Sequence, residues 1–164
     1  MMGRGEDSGA KRRSAARSGR ELALEMLARR DHGQEELRRR LRDRGVGDDE
    51  IESVVGYLSA AGYLDDGRIV ETEVARLVRA VWGPLKIRRY LLEKGFAEHL
   101  VEASLLQVAG EEPDDFWRRL AERALQARRP QAGTAWGERE RARHYRFLIA
   151  RGFPESLARA LVRP

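Results

Sequence analysis

Two pairs of adjacent carboxylates are the first residues able to do chemistry: Asp65–Asp66 and, 49 positions on, Asp114–Asp115. Such pairs can hold a divalent metal or share general acid and base work. Both pairs, however, stand where a helix should begin. Acidic side chains there satisfy free amides and the helix dipole, so capping is the favoured reading. His32, His99 and His144 have no nucleophile at fixed spacing and are too scattered for a metal site. The chain has no cysteine, which removes disulfides, thiolate ligands and a thiol nucleophile together. It has no glycine-rich phosphate loop, no HExxH and no GxSxG stretch. A small hydrolase is therefore the weakest function class. The expectation is a protein that is not an enzyme and uses no cofactor or metal.

What remains is cationic and aromatic. Of 32 basic residues only Lys11, Lys86 and Lys94 are lysine, and arginine suits bidentate contact with phosphate or carboxylate. A compositional bias of the genome explains that preference equally well. The formal charge of +5 is unevenly spread. Residues 1–20 hold six basic against two acidic residues, and residues 113–164 hold twelve against six. The middle is mildly acidic, so the molecule is polarised, which steers docking as well as attraction. The candidate partner- or DNA-binding residues are Arg76, Arg79, Lys86, Arg88, Arg89 and Lys94 in the middle of the chain. Near its end they are Arg128, Arg129, Arg139, Arg141, Arg143 and Arg146, which few acids dilute. Arg38, Arg39, Arg40, Arg42 and Arg44 also cluster, but acidic neighbours offset them. Trp82 and Trp117 continue apolar stripes and read as packing. Trp136 lies in a loop and is open between packing and base stacking.

These residues must be positioned by helices, because apolar residues recur at helical spacing and no stretch alternates like a strand. Three similar stretches, "HGQEELRRRLRDRGV", "WGPLKIRRYLLEKGF" and "RERARHYRFLIARGF", end at Gly45–Val46, Gly95–Phe96 and Gly152–Phe153, at intervals of 50 and 57 residues. Four residues before each glycine stands Leu41, Leu91 or Leu148. A helix that stops with glycine at C′ packs the next residue on the one at C3, so the spacing predicts three copies of one helix stop. Eight before the glycines come Leu37, Ile87 and His144, one turn up the same face; His144 reads as a core-edge histidine. Ser18-Gly19-Arg20-Glu21 has capping-box form and predicts the first helix start. Gly83-Pro84 predicts another, with proline at the first helical position.

Each copy then holds three helices. The expected architecture is all-α: three tandem three-helix repeats forming an elongated, curved array. The boundaries are a disordered basic tail at 1–17 and repeats at 18–64, 65–112 and 113–164, with "RRPQAGTAWG" as a longer loop in the third. Charged residues make up 36% and hydrophobic ones 41%, enough for a modest core. The longest uncharged run, Ser53–Leu64, is far short of a membrane span, and no signal peptide is recognisable. A soluble, cytoplasmic monomer is the expectation.

"GYLDDGRIV" at Gly62–Val70 and "WGPLKIRRYLLEKGF" at Trp82–Phe96, preceded by "EELRRRLRDRGV", give the chain a further character: it resembles the RecX family of recombination regulators over about residues 20–162, most strongly in the second repeat. The resemblance implies three tandem three-helix repeats. It also implies binding to the RecA recombinase, above all to its filament on single-stranded DNA. The consequence would be restraint of ATP hydrolysis, strand exchange and coprotease activity, with direct contact to DNA phosphate as a further option. Two positions depart from the family pattern. His32-Gly33 stand where Arg-Ser is usual, so a helix start loses its hydroxyl, and Ile69-Val70 replace Phe-Ala. A helix-turn-helix-like DNA-binding regulator is the alternative. Against it, the third helices of the first two repeats carry acids (Asp48, Asp49, Glu50 and Glu52; Glu98 and Glu102), which suit a phosphate-lined groove poorly.

Overall fold

A computed structural model describes residues 17–128 and 136–163. Among them the chain forms nine helices and no strand: α1 (Gly19–Leu27), α2 (Gln34–Arg42), α3 (Asp48–Ala60), α4 (Asp66–Arg79), α5 (Pro84–Glu93), α6 (Glu98–Ala109), α7 (Pro113–Gln126), α8 (Glu138–Ala150) and α9 (Glu155–Val162). The proposed tail lies outside the described residues except Arg17, whose guanidinium pairs with Glu25 of α1 at 2.7 Å. Most of the third-repeat loop also lies outside them.

The helix starts follow local chemistry. Ser18 accepts the Glu21 amide at 3.2 Å while Glu21 accepts the Ser18 amide at 3.0 Å, closing the capping box on α1. Asp65 caps α4 by accepting the Arg68 amide at 3.0 Å. Asp66 does something else: its carboxylate accepts the Gln34 amide of α2 at 2.9 Å. The cap acceptor that α2 lacks at Gly33 is thus supplied by a carboxylate at the start of α4. Gly33 also has a steric reason to be glycine, because a Cβ there would meet the Phe96 ring at 2.9 Å. For Asp114–Asp115 the side-chain cap is corrected, while their place at the positive end of the helix dipole holds. Pro113 takes the first helical position of α7, so the pair falls inside the first turn, where no side chain caps the helix.

The three helix stops share one geometry. Gly45, Gly95 and Gly152 have φ of 80°, 88° and 84°. The amides of Val46, Phe96 and Phe153 donate to the carbonyls of Leu41, Leu91 and Leu148 at 3.1–3.2 Å. That is the six-to-one bond of a Schellman cap. It turns Phe153 into the interior, where it is 1% exposed beside the fully buried Leu148. The end of α4 repeats the cap with Val81 at φ 60°, a conformation that costs a side-chain-bearing residue about 1–2 kcal/mol.

Packing divides the chain unequally. One core gathers Ala23, Leu37, Leu41, Ile51, Val55 and Leu58 from α1–α3. A second, continuous core runs from Val70 to Ala158, joining α4–α6 to α7–α9. The middle and last helical triplets therefore share one interior, where three equivalent units would have had three. Their joint is tight: the Gly83 amide donates to the Arg151 carbonyl at 2.7 Å, and the Leu85 amide to the Gly152 carbonyl at 3.0 Å. A Cβ on Gly152 would lie 2.3 Å from the Lys86 Cβ and 2.5 Å from its backbone nitrogen.

Gly152→Ala should consequently cost more than Gly45→Ala. Gly45 has open space around it and bears only the left-handed backbone cost of about 1–2 kcal/mol. Gly152→Ala must also push α5 away from α8. Urea unfolding of the two variants checks this; equal losses would contradict the joint.

Candidate partner-binding surface

The candidate cations divide into those engaged inside the fold and those facing outward. On α4, Arg76 binds Glu73 through two hydrogen bonds of 3.0 and 2.9 Å, which hold the Glu73 carboxyl below its usual range. On α5, Arg88 reaches Glu102 of α6 at 2.6 Å. Lys86 lies over the Trp82 ring at 4.2 Å and Lys94 over the Tyr90 ring at 4.6 Å. Trp82 meets Tyr90 edge to face at 5.5 Å. Trp82, Lys86, Tyr90 and Lys94 thus alternate aromatic and cation at four-residue intervals along one side of α5 and the residues that flank it. That spacing was present in the sequence and went unused. Arg128 stacks on Phe147 at 4.2 Å, and Arg129 lies outside the described residues. Arg141 donates to the Trp136 carbonyl at 3.0 Å. The Trp136 ring packs against the buried His144 ring at 4.4 Å, which decides its open reading in favour of packing.

Arg79, Arg139, Arg143 and Arg146 are exposed, with no bonded partner among the described residues. The last three matter together. On α8, His144 and Leu148 point into the protein. Residues 139, 143 and 146 recur at four and three positions, so they share the opposite face. Arg89 is nearly as free, with Glu93 3.9 Å away and both side chains exposed. Between α8 and α9 runs a groove of about 520 Å³ lined by Arg141, Arg146, Arg159 and Arg163 around Tyr145 and Val162. In the first triplet, by contrast, Arg38, Arg40 and Arg42 are tied to Glu52, Glu36 and Asp48 at 2.9–3.0 Å, as their acidic neighbours suggested.

Arg151 escaped the sequence reading. It donates to the Ala80 carbonyl at 2.9 Å and stacks 5.3 Å from Phe147, linking α8 to the end of α4. Its position one before the glycine stop gave no separate signal.

A second groove, about 480 Å³, opens where the first triplet meets the second, lined by Arg30, Gly33, Glu36, Arg39, Lys94 and Phe96 among others. Glu36 is its electrostatic centre. Burial pushes the carboxyl up, but hydrogen bonds from Arg30 and Arg40 prevail and hold it at about 2. His32 lies 3.2 Å from Glu36; burial and then Arg30 lower its pKa, so it is neutral at neutral pH. Among the described residues no helix is long and apolar enough to cross a membrane, and no three His, Cys, Asp or Glu side chains group to hold a metal.

The geometry defines a helical repeat array with cation-bearing outer faces, and known proteins give it a lineage. Residues 20–58 match the family described as "RecX, first three-helix domain". The chain is 36% identical over 138 residues to the "Regulatory protein RecX" of Pseudomonas putida strain F1, covering 82% of this chain and 83% of that one. It is 35% identical over 144 residues to the protein of that name from Ectopseudomonas mendocina, covering 88% and 92%. The crystal structure of RecX from Lactobacillus salivarius superposes with a TM-score of 0.69 at 18% identity, covering 88% of this chain and 92% of that one. The chain belongs to the RecX family of regulatory proteins. The family match falls on the first triplet, whereas the resemblance read from short motifs was strongest in the second.

Acid should act through Glu36. Its folded pKa lies below the ordinary 4.5, so the carboxylate stabilises the fold above pH 4.5, and that stability is lost as pH falls towards about 2. Glu36→Gln should therefore lose at most about 3 kcal/mol near neutral pH, and the difference from wild type should shrink through that window. Urea unfolding at stepped pH measures it.

Proposed function

We propose that this chain binds the RecA recombinase, above all its filament on single-stranded DNA, and restrains ATP hydrolysis, strand exchange and coprotease activity. It acts by occupying surface, as a cytoplasmic monomer and without catalysis of its own. Membership in a family of regulatory proteins supports the reading, as does a fold built as an array with cations on its outer faces. The observation that carries it is the row Arg139, Arg143 and Arg146 on the face of α8 turned away from the core. Cations held there without internal partners are available to acidic protein surface or to DNA phosphate, and they steer encounter before contact.

The direct sequence-reading alternative fits less well. The third helices α3 and α6 open with Asp48–Glu50 and Glu98, which phosphate repels.

RecA ATPase on single-stranded DNA, with this protein at substoichiometric ratios, tests the proposal: turnover should fall, and unchanged turnover would reject it. Replacing Arg139, Arg143 and Arg146 together by glutamate should weaken filament pull-down roughly tenfold without lowering the unfolding midpoint. Unaltered affinity would dismiss this arginine row while leaving the ATPase result standing.

A further inference from the structure

The middle triplet carries apolar surface that its own fold does not require. Leu85 is 51% exposed, Leu92 37% and Leu106 62%, and Ile149 of the neighbouring α8 is 40% exposed. Leu85 lies at the centre: it shares one groove with Arg88 and Leu106, and a second with Lys86, Arg89 and Ile149. The repeat supplies an internal control. Counted from the glycine stops, Leu85, Leu92 and Leu106 correspond to Glu35, Arg42 and Gly56 in the first triplet, all exposed. The same helix stop and packing form there with polar residues or none at these positions. In the third triplet the counterparts are Ala142, Ile149 and Arg163. Three surface leucines in one triplet are thus a local feature of this chain, and exposed leucine adds nothing to folding.

We infer that the face formed by Leu85, Leu92 and Leu106, with Ile149 and Arg89 at its edge, is the contact with the protein component of the filament. The matching surface is an apolar pocket with a carboxylate rim. This rests on the proposed function and says which of the filament's two chemistries the face meets. Phosphate gains nothing from leucine methyl groups, and bases stack on aromatic or guanidinium planes, which are not what this face leads with. A protein pocket gains from both parts: leucines desolvate at the centre, while Arg89 pairs at the rim.

The full chain as Leu85→Ser/Leu106→Ser, and separately as Arg89→Glu, is titrated onto RecA filaments on single-stranded DNA and onto the bare strand. The leucine variant should bind filaments at least tenfold more weakly and keep its bare-strand affinity, Arg89→Glu should lose several-fold more on filaments than on the bare strand, and both should keep the wild-type unfolding midpoint. Arg89→Glu alters no leucine and keeps the test decisive if the double variant folds poorly. Wild-type binding with undiminished variant affinity overturns the inference and spares the proposed function. Equal losses on the bare strand overturn it in favour of nucleic acid. A wild-type dimer in sedimentation that the leucine variant dissolves overturns it in favour of self-association. Failure of the wild type to bind filaments removes the proposed function, and this occupant with it.

Discussion

The hydrogen bond from the residue after each glycine stop back to the leucine carbonyl organises this molecule. It ends the helix, drives the next side chain into the interior and leaves a flat glycine face at the C-terminus. On α8 that face receives the start of α5. The first amides of a helix and the last carbonyls of another are both left over by helical geometry. Here they meet: the Gly83 and Leu85 amides take the Arg151 and Gly152 carbonyls, positive end to negative end. Two sets of unsatisfied groups are resolved by one contact. The contact exists only because Gly83 and Gly152 present no Cβ to each other's chains.

The corresponding joint between the first and second triplets is made differently. Gly33 lies against the Phe96 ring and Gly95 against the Glu35 stem, and the Gln34 amide goes to the Asp66 side chain. Side chains replace the backbone pairing, and the two cores remain separate. The rest of this joint is polar and exposed, including Arg68 with Asp31 at 3.2 Å, and exposed pairs contribute little. One array therefore contains a fused pair of triplets and a more independent first triplet. Most arginines maintain this arrangement by binding nearby carboxylates, carbonyls and rings. Among those that do not, Arg139, Arg143 and Arg146 share one face of α8, where the partner-binding reading places its weight.

Much of this was legible in the residues. The leucine–glycine–aromatic spacing encodes a local motif and needed no tertiary knowledge, and neither did the Ser18 capping box. Asp66 was read as a cap for its own helix, and its role lies on α2 because folding brings distant segments together. Pro113 displaced Asp114–Asp115 from the cap since its fixed φ suits the first helical position better. Val81 was invisible as a helix stop: the pattern looks for glycine, and the surrounding fold holds valine in a left-handed conformation. The outward row on α8 was found as a charge cluster, but Arg141, which shares the cluster, turns inward to the Trp136 carbonyl. Linear proximity cannot separate the two faces of a helix without a phase, and the buried His144 and Leu148 supply that phase.

Electron cryomicroscopy of RecA filaments on single-stranded DNA, saturated with this protein, tests the central claim most directly: a linear helical array acts through the surfaces it presents. The account expects density for all three triplets laid continuously along the filament, with the outer face of α5 against RecA protein. Density for a single triplet, with α5 facing solvent, would contradict it.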